Sequence, residues 1–417
     1  MSTPDDPVAV PRTRRPVDRA TRRARGAVAA LFLSNAVVLG SVVPWYPAIK
    51  ADLDLSNTAL GLAIAMGPLT AISIGAAAGP LIGRLGSGRT ATLTALLQLV
   101  ALPIIGLAGA WPVLALGMVV LGGTDTITDA AMNAHGMRVQ RRYGRSIINS
   151  FHALWSLGAV LGGLVASAMV GLGVARSVHL VVTAGVLAVV VVIADRLLLP
   201  GPENTERPDE VATSETAGTP GVRQAIRTAF VTLAGLGVML MAAVMIEDVA
   251  ASWSAIHLRE TVGSTAFVAG LGFVLSQSGM VVGRTLGDRV VDALGPVAVA
   301  RGGFVLGAVG VGTAAMGPEP WIVLVGFALG GLGVSTLYPL VMAASGEIPG
   351  VRSGDGIAIA SWLSRFGFLV GPPLVGVVAD AVGLRIALMV VAAIALAGAT
   401  LARLLAPAAT ATAPTDG

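Results

Sequence analysis

Apolar runs separated by short polar breaks make up almost the whole chain. Each run is about 20 residues long, the length at which an α-helix crosses a hydrocarbon core of about 30 Å. Because a segment in lipid must satisfy its own backbone hydrogen bonds, we interpret the runs as membrane helices. The pattern predicts an all-α integral membrane protein with twelve transmembrane helices, at residues 26–48, 58–79, 90–109, 112–135, 147–170, 178–199, 226–250, 265–284, 297–317, 321–344, 356–378 and 385–405.

A polar stretch divides the predicted helices six and six. It begins at Pro200 and reads "PGPENTERPDEVATSETAGTP", a composition typical of a linker. The predicted organisation is a disordered basic cytoplasmic tail (1–25), an N-terminal six-helix bundle (26–199), a cytoplasmic linker (200–225), a C-terminal six-helix bundle (226–405) and a disordered C-terminal tail (406–417).

The two halves of the chain resemble each other. Three pairs of positions are 210, 208 and 209 residues apart, namely Trp111 and Trp321, Leu121 and Leu329, and Gly162 and Gly371. The stretch "GPLIGRLGSGR", from Gly79, follows the second predicted helix. The stretch "GRTLGDRVVDALG", from Gly283, follows the eighth with about four extra residues. Parallel six-helix repeats about an axis along the membrane normal are an architecture of transporters.

The composition agrees with a membrane protein and excludes several kinds of site. Hydrophobic residues make up 55% of the chain, charged residues 12%, and the mean hydropathy is +0.83. Without cysteine, and with four scattered histidines, the sequence offers neither a disulfide framework nor a metal cluster. It also lacks a G-x-x-x-x-G-K-[ST] loop and a nucleophile–base–orienter set, so we expect neither a cofactor nor an enzyme.

Basic residues concentrate on one side of the predicted membrane. The opposite side holds only four of the 27 lysines and arginines, namely Lys50, Arg176, Arg259 and Arg385. The positive-inside rule then predicts that both termini are cytoplasmic. The pI of about 10.2 is therefore explained by topology, with no need for nucleic-acid binding. The N-terminus shows no signal peptide, and we expect a monomeric, multi-pass protein in the plasma (inner) membrane of a bacterium.

These features resemble the major facilitator superfamily, whose loop between helices 2 and 3 reads roughly G-x-L-x-D-R-x-G-R. The first half matches this signature at Gly79, Leu81, Arg84 and Gly86, and the second half matches it at Leu286, Asp288, Arg289 and Gly295. The resemblance implies that Arg84, Gly86, Asp288 and Arg289 belong to loops that control conformation. Gly83 stands where the family carries its latching Asp, so the second copy is the better equipped. The alternative is that the arginines are simply inside-positive anchors.

Three further stretches resemble a poorly characterised bacterial branch near the fucose permeases. They are "DAAMNAHGMRVQRRYGRSIINSFHALWSLG" from Asp129, "EDVAASWSAIHLR" from Glu247 and "GFLVGPPLVG" from Gly367. The branch has Asp immediately before the Trp of the second stretch, whereas this chain has Ser252. A role of that Asp therefore does not transfer to this chain.

Polar side chains inside the predicted helices indicate a cavity, because a charge in mid-bilayer costs about 2.5–3.5 kcal/mol and tends to face a cavity or a partner. In the resembled family the cavity lies between the helices that carry these residues. The predicted substrate-binding residues are Asn35, Asp125, Asn133, Trp155, Gln277, Tyr338, Trp362 and Arg365. Glu247 and Asp248 are a predicted gate, or else a solvated helix end.

The fourth predicted helix carries the most distinctive pattern. Asp125, Asp129 and Asn133 recur every fourth residue and therefore form one polar stripe. We expect Asp129 to carry an exchangeable proton, with His152 at similar depth as hydrogen-bond partner or relay, and we include Asp125 in the same proton-coupling group. Asp125, nearer mid-membrane, is the expected partner of Arg365 or of substrate. Arg365 has the alternative of a permanent structural ion pair.

The sequence therefore predicts a secondary transporter that works by alternating access between two bundles in the lipid bilayer. We expect proton-coupled uptake of a small polar solute such as a sugar or an organic acid. One alternative is proton-driven export of a drug or secondary metabolite. An alternative of another class is a receptor or scaffold on the same fold that transports nothing.

Overall fold

The computed structural model describes residues 17–201, 220–348, 351 and 353–406, and over these residues the chain is helical without a β-strand. Twelve segments in this part of the chain are long and apolar enough to cross a membrane, which confirms the predicted number. We number them α1 (Arg19–Asp52), α2 (Asn57–Leu85), α3 (Ser87–Gly106), α4 (Trp111–Tyr143), α5 (Ile148–Gly171), α6 (Arg176–Asp195), α7 (Pro220–Ser252), α8 (Ala266–Leu294), α9 (Pro296–Met316), α10 (Pro320–Gly346), α11 (Ser353–Val382) and α12 (Leu384–Leu405).

Several of these segments change their helical geometry along their length. α1 passes through a 3-10 turn at Val43–Trp45, α2 through one at Gly75–Ala77, and α12 ends in one at Ala402–Leu405. α10 consists of Pro320–Val334 and Leu337–Gly346. A short helix at Ser254–Ile256 and a π-helical turn at His257–Thr261 follow α7.

The helices extend further than the apolar runs that predict them. α1 begins at Arg19, inside the predicted tail, because the Asp18 side chain caps it by accepting a hydrogen bond from the backbone N–H of Thr21 at 2.6 Å. α4 continues to Tyr143 and ends at Gly144, whose φ of 67° stops the helix. Hydropathy locates the part of a helix that lies in lipid, whereas caps locate its ends. The predicted tails at 1–16 and 407–417, and positions 202–219 of the linker, lie outside the described residues.

The internal repeat has a different register from the one that the glycine motifs suggest. α2 and α8 each contain 29 residues, begin after the capping hydroxyls of Ser56 and Thr265, and end before Gly86 and Gly295. These two glycines have φ of 82° and 80°, a conformation that favours glycine. The prediction of four extra residues in the second half was therefore wrong, and the offset is 209 throughout both helices.

This register also moves the predicted conformational residues out of loops. Arg84 lies in the last turn of α2, and Asp288 and Arg289 lie inside α8, so only Gly86 is at a turn. The position equivalent to Gly83 in the second half is Asp292, which lines a small cavity together with Asp288.

Each half packs as a bundle, and the two bundles meet along two seams. In the first half α1 packs on α5, and α3 packs on α4 and α6; in the second, α9 packs on α10 and α12, and α7 packs on α11. One seam joins α2 to α11, and the other joins α5 to α8. We call the side where α1 begins and α12 ends the termini face, and the opposite side the far face.

Candidate functional site

The two halves are held together at the far face. Asp380 of α11 accepts hydrogen bonds from the backbone of Asn57 and Thr58 in α2, and Lys50 pairs with Glu260. Glycines allow close approach at both seams. Gly61 lies against the backbone of Pro372, Gly376 lies against the backbone of Asn57, and Gly270 lies against the Ser167 side chain. At the termini face the last turn of α2 packs on α3 and α4, and the second part of α10 packs mainly on α7, α11 and α9, within their own halves. Among the described residues the contacts between the halves are therefore concentrated at the far face, and we infer that the space between the bundles opens at the termini face.

A buried hydrogen-bond network lies at the centre of the first half. Asn35 and Gln98 both donate to Oδ1 of Asp125, at 2.7 and 2.9 Å, and Asn35 also donates to Oε1 of Gln98 at 3.2 Å. The Trp155 indole donates to Oδ1 of Asn35 at 2.8 Å. The structure thus brings together three predicted residues and adds Gln98, which the sequence analysis missed because α3 carries no charge near it.

Asp129 points in another direction from Asp125, although both lie on α4. Its side chain is exposed, it accepts a hydrogen bond from the Asn133 side chain at 3.0 Å, and it lies within electrostatic range of Arg365 on α11. Successive members of the stripe are rotated by about 40° around the helix axis, so one faces the interior of the bundle and the next faces the seam.

Arg365 reaches across the seam from α11 to α2. Its Nη1 donates to the carbonyl oxygen of Ala71 at 3.2 Å, and a Cβ added at Gly75 would lie 2.9 Å from the same Nη1. Arg365 does not pair with Asp125 in this conformation, in which Asp125 accepts hydrogen bonds from two amides of its own half. Asp129 is an acidic group within electrostatic range of Arg365.

His152 is not the hydrogen-bond partner of Asp129. Within the described residues no hydrogen bond joins the two side chains; the His152 ring is exposed and packs edge-on against Phe32, with the ring centroids 5.2 Å apart. The charged group within its range is Arg284. The prediction rested on equal depth in the membrane, and depth does not determine the direction in which a side chain points.

Arg284 is the charged residue of the site that the sequence analysis missed. It lies inside α8, is exposed, and donates from Nη1 to the Ser156 hydroxyl of α5 at a long 3.4 Å. His152 and Glu247 are both within its electrostatic range. The predicted eighth helix ended at this residue and assigned it to the membrane surface, whereas α8 continues for ten further residues to Leu294. A repeat offset of 209 applied to the sequence would have placed Arg284 opposite Gly75 and thus inside a span.

The predicted gate residues lie in different surroundings. Asp248 is only 7% exposed, which excludes the solvated helix end considered for it, and Glu247 is half-buried. Ser252 donates to Oδ1 of Asp248 at 3.0 Å, while Oδ2 is buried without a hydrogen-bond partner among the described residues. Tyr46 of α1, in the opposite half, lies within electrostatic range of Asp248.

Three other predicted residues make no hydrogen bond to these groups within the described part of the chain. Gln277 is buried, and its Oε1 has no partner there. Tyr338 is 37% exposed. Trp362 is 52% exposed and packs edge-on against Phe366, with the ring centroids 4.8 Å apart. In the described part of the chain, no group of three or more His, Cys, Asp or Glu side chains is placed to hold a metal ion.

Comparison with known proteins agrees with this architecture. The sequence model of the Major Facilitator Superfamily matches residues 28–253 and 238–416. An uncharacterized transporter of Sinorhizobium fredii, y4wD, is 29% identical over 378 residues, covering 91% of this chain and 97% of that protein. An uncharacterized MFS-type transporter of Yersinia pestis is 27% identical over 379 residues, covering 90% and 93%.

Solved structures share the fold at low sequence identity. A mutant of the nucleoside transporter NupG superposes with a TM-score of 0.76 at 12% identity, covering 92% of this chain and 100% of that one. A bacterial homologue of the lysosomal transporter Spinster, in an inward-facing and unoccupied conformation, has a TM-score of 0.72 at 14% identity, covering 93% and 97%. The predicted proximity to the fucose permeases is not confirmed by these relatives. The twelve-helix fold and the family match together establish that the chain is a membrane transporter of the Major Facilitator Superfamily.

Proposed function

We propose that this transporter takes up a small polar solute, such as a sugar or an organic acid, together with protons, and that Asp129 carries the proton. The observation that carries the proposal is the exposed Asp129 carboxylate, which lies on the open side of the molecule within electrostatic range of Arg365 in the other half. A carboxylate in this position can exchange protons with one side of the membrane in the present conformation. Protonation would remove one charge of a pair that spans the seam.

The change of charge supplies a physical link between proton binding and alternating access. While Asp129 is ionised, its attraction to Arg365 favours the conformation in which α2 and α11 are in contact at the level of these two residues. A proton on Asp129 weakens that attraction and favours separation of the halves. The cycle then consists of rocking of the two bundles about a site between them.

The direction of uptake depends on orientation. With both termini cytoplasmic, as the distribution of basic residues predicts, the open termini face is the inward-facing side. We propose that the protein is a monomer in the bacterial plasma membrane. We also propose that His152 influences the site by its electrostatic interaction with Arg284, and not by a contact with Asp129. The predicted gate residues, Glu247 and Asp248, would then close the site toward the outside at the far face.

The proposal is tested in two steps with purified wild-type protein. A solute library is first screened for compounds that raise the thermal unfolding midpoint, and each hit is then supplied to proteoliposomes that contain a pH-sensitive dye. Proton entry together with the solute supports uptake by symport. Proton movement against the solute identifies the exporter instead, and solute movement without proton movement contradicts the coupling. A labelled solute that binds but never crosses would identify a receptor.

A further inference from the structure

Arg284 and Arg365 make equivalent contacts with the first half, related by the internal repeat. With the repeat offset of 209, Gly75 of the first half corresponds to Arg284 of the second, and Ser156 corresponds to Arg365. Arg365 lies against Gly75, and Arg284 lies against Ser156. Each arginine therefore contacts the counterpart of the other arginine, as a pseudo-two-fold axis between the halves requires.

The pseudo-two-fold axis determines the positions of the two arginines relative to the space between the bundles. The α2–α11 and α5–α8 seams are on opposite sides of the axis, so Arg365 and Arg284 lie at equal depth on opposite sides of it. Both come from the second half, while their counterparts in the first half are small. The site therefore carries two positive charges facing the first half across two seams.

Both guanidinium groups keep most of their hydrogen-bonding capacity. Each has five N–H donors. Among the described residues, Arg365 makes one hydrogen bond to a backbone carbonyl, and Arg284 makes the long one to a hydroxyl. Neither forms an ion pair within 4.0 Å in this part of the chain. A membrane segment seldom contains an arginine without a partner or a cavity, and two of them at matched depth indicate an anion.

We propose that Arg284 and Arg365 bind the two anionic ends of one small organic acid, a dicarboxylate or a similar dianion, between the halves. A guanidinium group presents paired N–H donors that match the two oxygens of a carboxylate. The proposal rests on the proposed function, since it names the substrate class of that same site. Such a site differs from one for neutral sugars, which would be bound by aromatic rings and amide side chains.

The acidic groups nearby give the anion a route to proton coupling. Asp129 acts on Arg365, and Glu247 and His152 act on Arg284, while Asp125 lies within range of Asp129. An ionised Asp129 competes with the substrate carboxylate for Arg365. A protonated Asp129 does not, so the dianion binds best to the protonated site and the two enter together.

The experiment compares matched solutes on four versions of the full-length protein. Wild type, Arg284→Gln, Arg365→Gln and Arg301→Gln are purified in detergent, and the thermal shift is measured with succinate, glutarate and malate, with the diamides of the first two, and with glucose. Arg301 is an exposed arginine on α9, which forms neither seam, and serves as the control. We expect at least one dicarboxylate to bind wild type and Arg301→Gln with similar affinity, and its diamide not to bind. Affinity should fall at least tenfold in each of the other two variants.

Two additional variants keep the result interpretable. Arg284→Lys and Arg365→Lys retain the charge without the paired donors, and we expect them to bind more weakly than wild type but more tightly than the glutamine variants. Binding of glucose or of a diamide in the absence of any dicarboxylate binding overturns the proposal, as does unchanged dicarboxylate affinity in Arg284→Gln. If a neutral solute is transported with protons, this inference fails and the proposed function stands. If a dicarboxylate binds at the arginines but no proton moves, the proposed function fails and this inference stands.

Discussion

Asp380, near the end of α11, caps the first turn of α2 in the opposite half of the molecule. Its Oδ1 accepts from the backbone N–H and the side-chain amide of Asn57, both at 2.9 Å, and its Oδ2 accepts from the backbone N–H of Thr58 at 2.8 Å. The first N–H groups of a helix have no partner within it, and the helix dipole favours a negative charge there. One carboxylate therefore ties the two halves together at the far face.

Replacing Asp380 by Asn should loosen the far face. The loss of a charge-assisted cap costs about 1 kcal/mol, which corresponds to a roughly fivefold larger population with the far face open. The chain contains no cysteine, so a single cysteine introduced at the buried Ser167 reports this opening from the other seam. We expect its labelling by a membrane-impermeant maleimide to be about fivefold faster in the variant.

The matched control for this experiment is Asp52→Asn. Asp52 also lies at the far face, but it pairs with Arg176 of its own half at 3.2 Å. Its loss should leave the labelling rate of the cysteine at position 167 unchanged. Equal rates in the Asp380 variant and in the control would show that the cap does not hold the far face closed.

Gly61→Ala should open the same face by a steric route. A Cβ at this position meets the carbonyl oxygen of Pro372, a backbone atom that cannot rotate away, so α2 and α11 must separate. We expect faster labelling of the same cysteine at position 167. Gly79→Ala is the control, because a Cβ at Gly79 would have no heavy atom within 4 Å in the described part of the chain beyond the adjacent backbone of its own helix. A similar effect of both substitutions would argue against a steric cause.

The sequence predicts the fold well because membrane helices are recognised by composition and length. The number of helices follows from the apolar runs, and the family follows from the resemblance of the loop motifs. Helix ends do not, since side chains such as Asp18 and conformations such as that of Gly144 set them. The register of the repeat differs from the predicted one for a similar reason. The glycine-rich motifs match in composition, whereas the turn glycines Gly86 and Gly295 define the structural match.

The candidate site is predicted less completely, because hydropathy gives depth and leaves direction undetermined. Asp129 and His152 are predicted to lie at similar depth, and yet their side chains have different neighbours. Asp125 is held by Asn35 and Gln98 on α1 and α3, which no spacing along α4 could indicate. Contacts across the two seams depend on how the halves pack, and neither half encodes them alone.

The network around Asp125 should serve mainly to stabilise the first half. Asn35 and Gln98 donate to the same oxygen of Asp125, so Asp125→Asn can keep both hydrogen bonds through its amide oxygen. Asp125→Leu leaves two buried donors without an acceptor, at a cost of about 1–3 kcal/mol each. We expect thermal unfolding in detergent to show a midpoint near wild type for the first variant and several degrees lower for the second. Equal losses in both would mean that the charge itself is required.

Acid should destabilise the far face through His257. This side chain is fully buried, its Nε2 lies 2.9 Å from the carbonyl oxygen of Ala314, and burial, with Arg385 nearby, lowers its pKa to about 4. The unfolded chain therefore binds a proton near pH 6.5 while the folded chain does not, and stability falls as the pH falls between these values. From pH 7 to pH 5 the loss is about 2 kcal/mol.

The measurement is the unfolding midpoint of wild type and His257→Gln at the two pH values. We expect a smaller decrease on acidification in the variant, since glutamine does not titrate. Parallel decreases in both proteins would show that other groups carry the acid sensitivity.

The role of Asp129 is tested most directly by solute accumulation in proteoliposomes with an imposed proton gradient, compared with exchange of the same solute in the absence of a gradient. We expect Asp129→Asn to exchange solute at a rate within a few-fold of wild type and to lose accumulation by at least about tenfold. Asp125→Asn, four residues away on the same helix, should retain both activities. Accumulation by Asp129→Asn at the wild-type level would contradict proton coupling through Asp129.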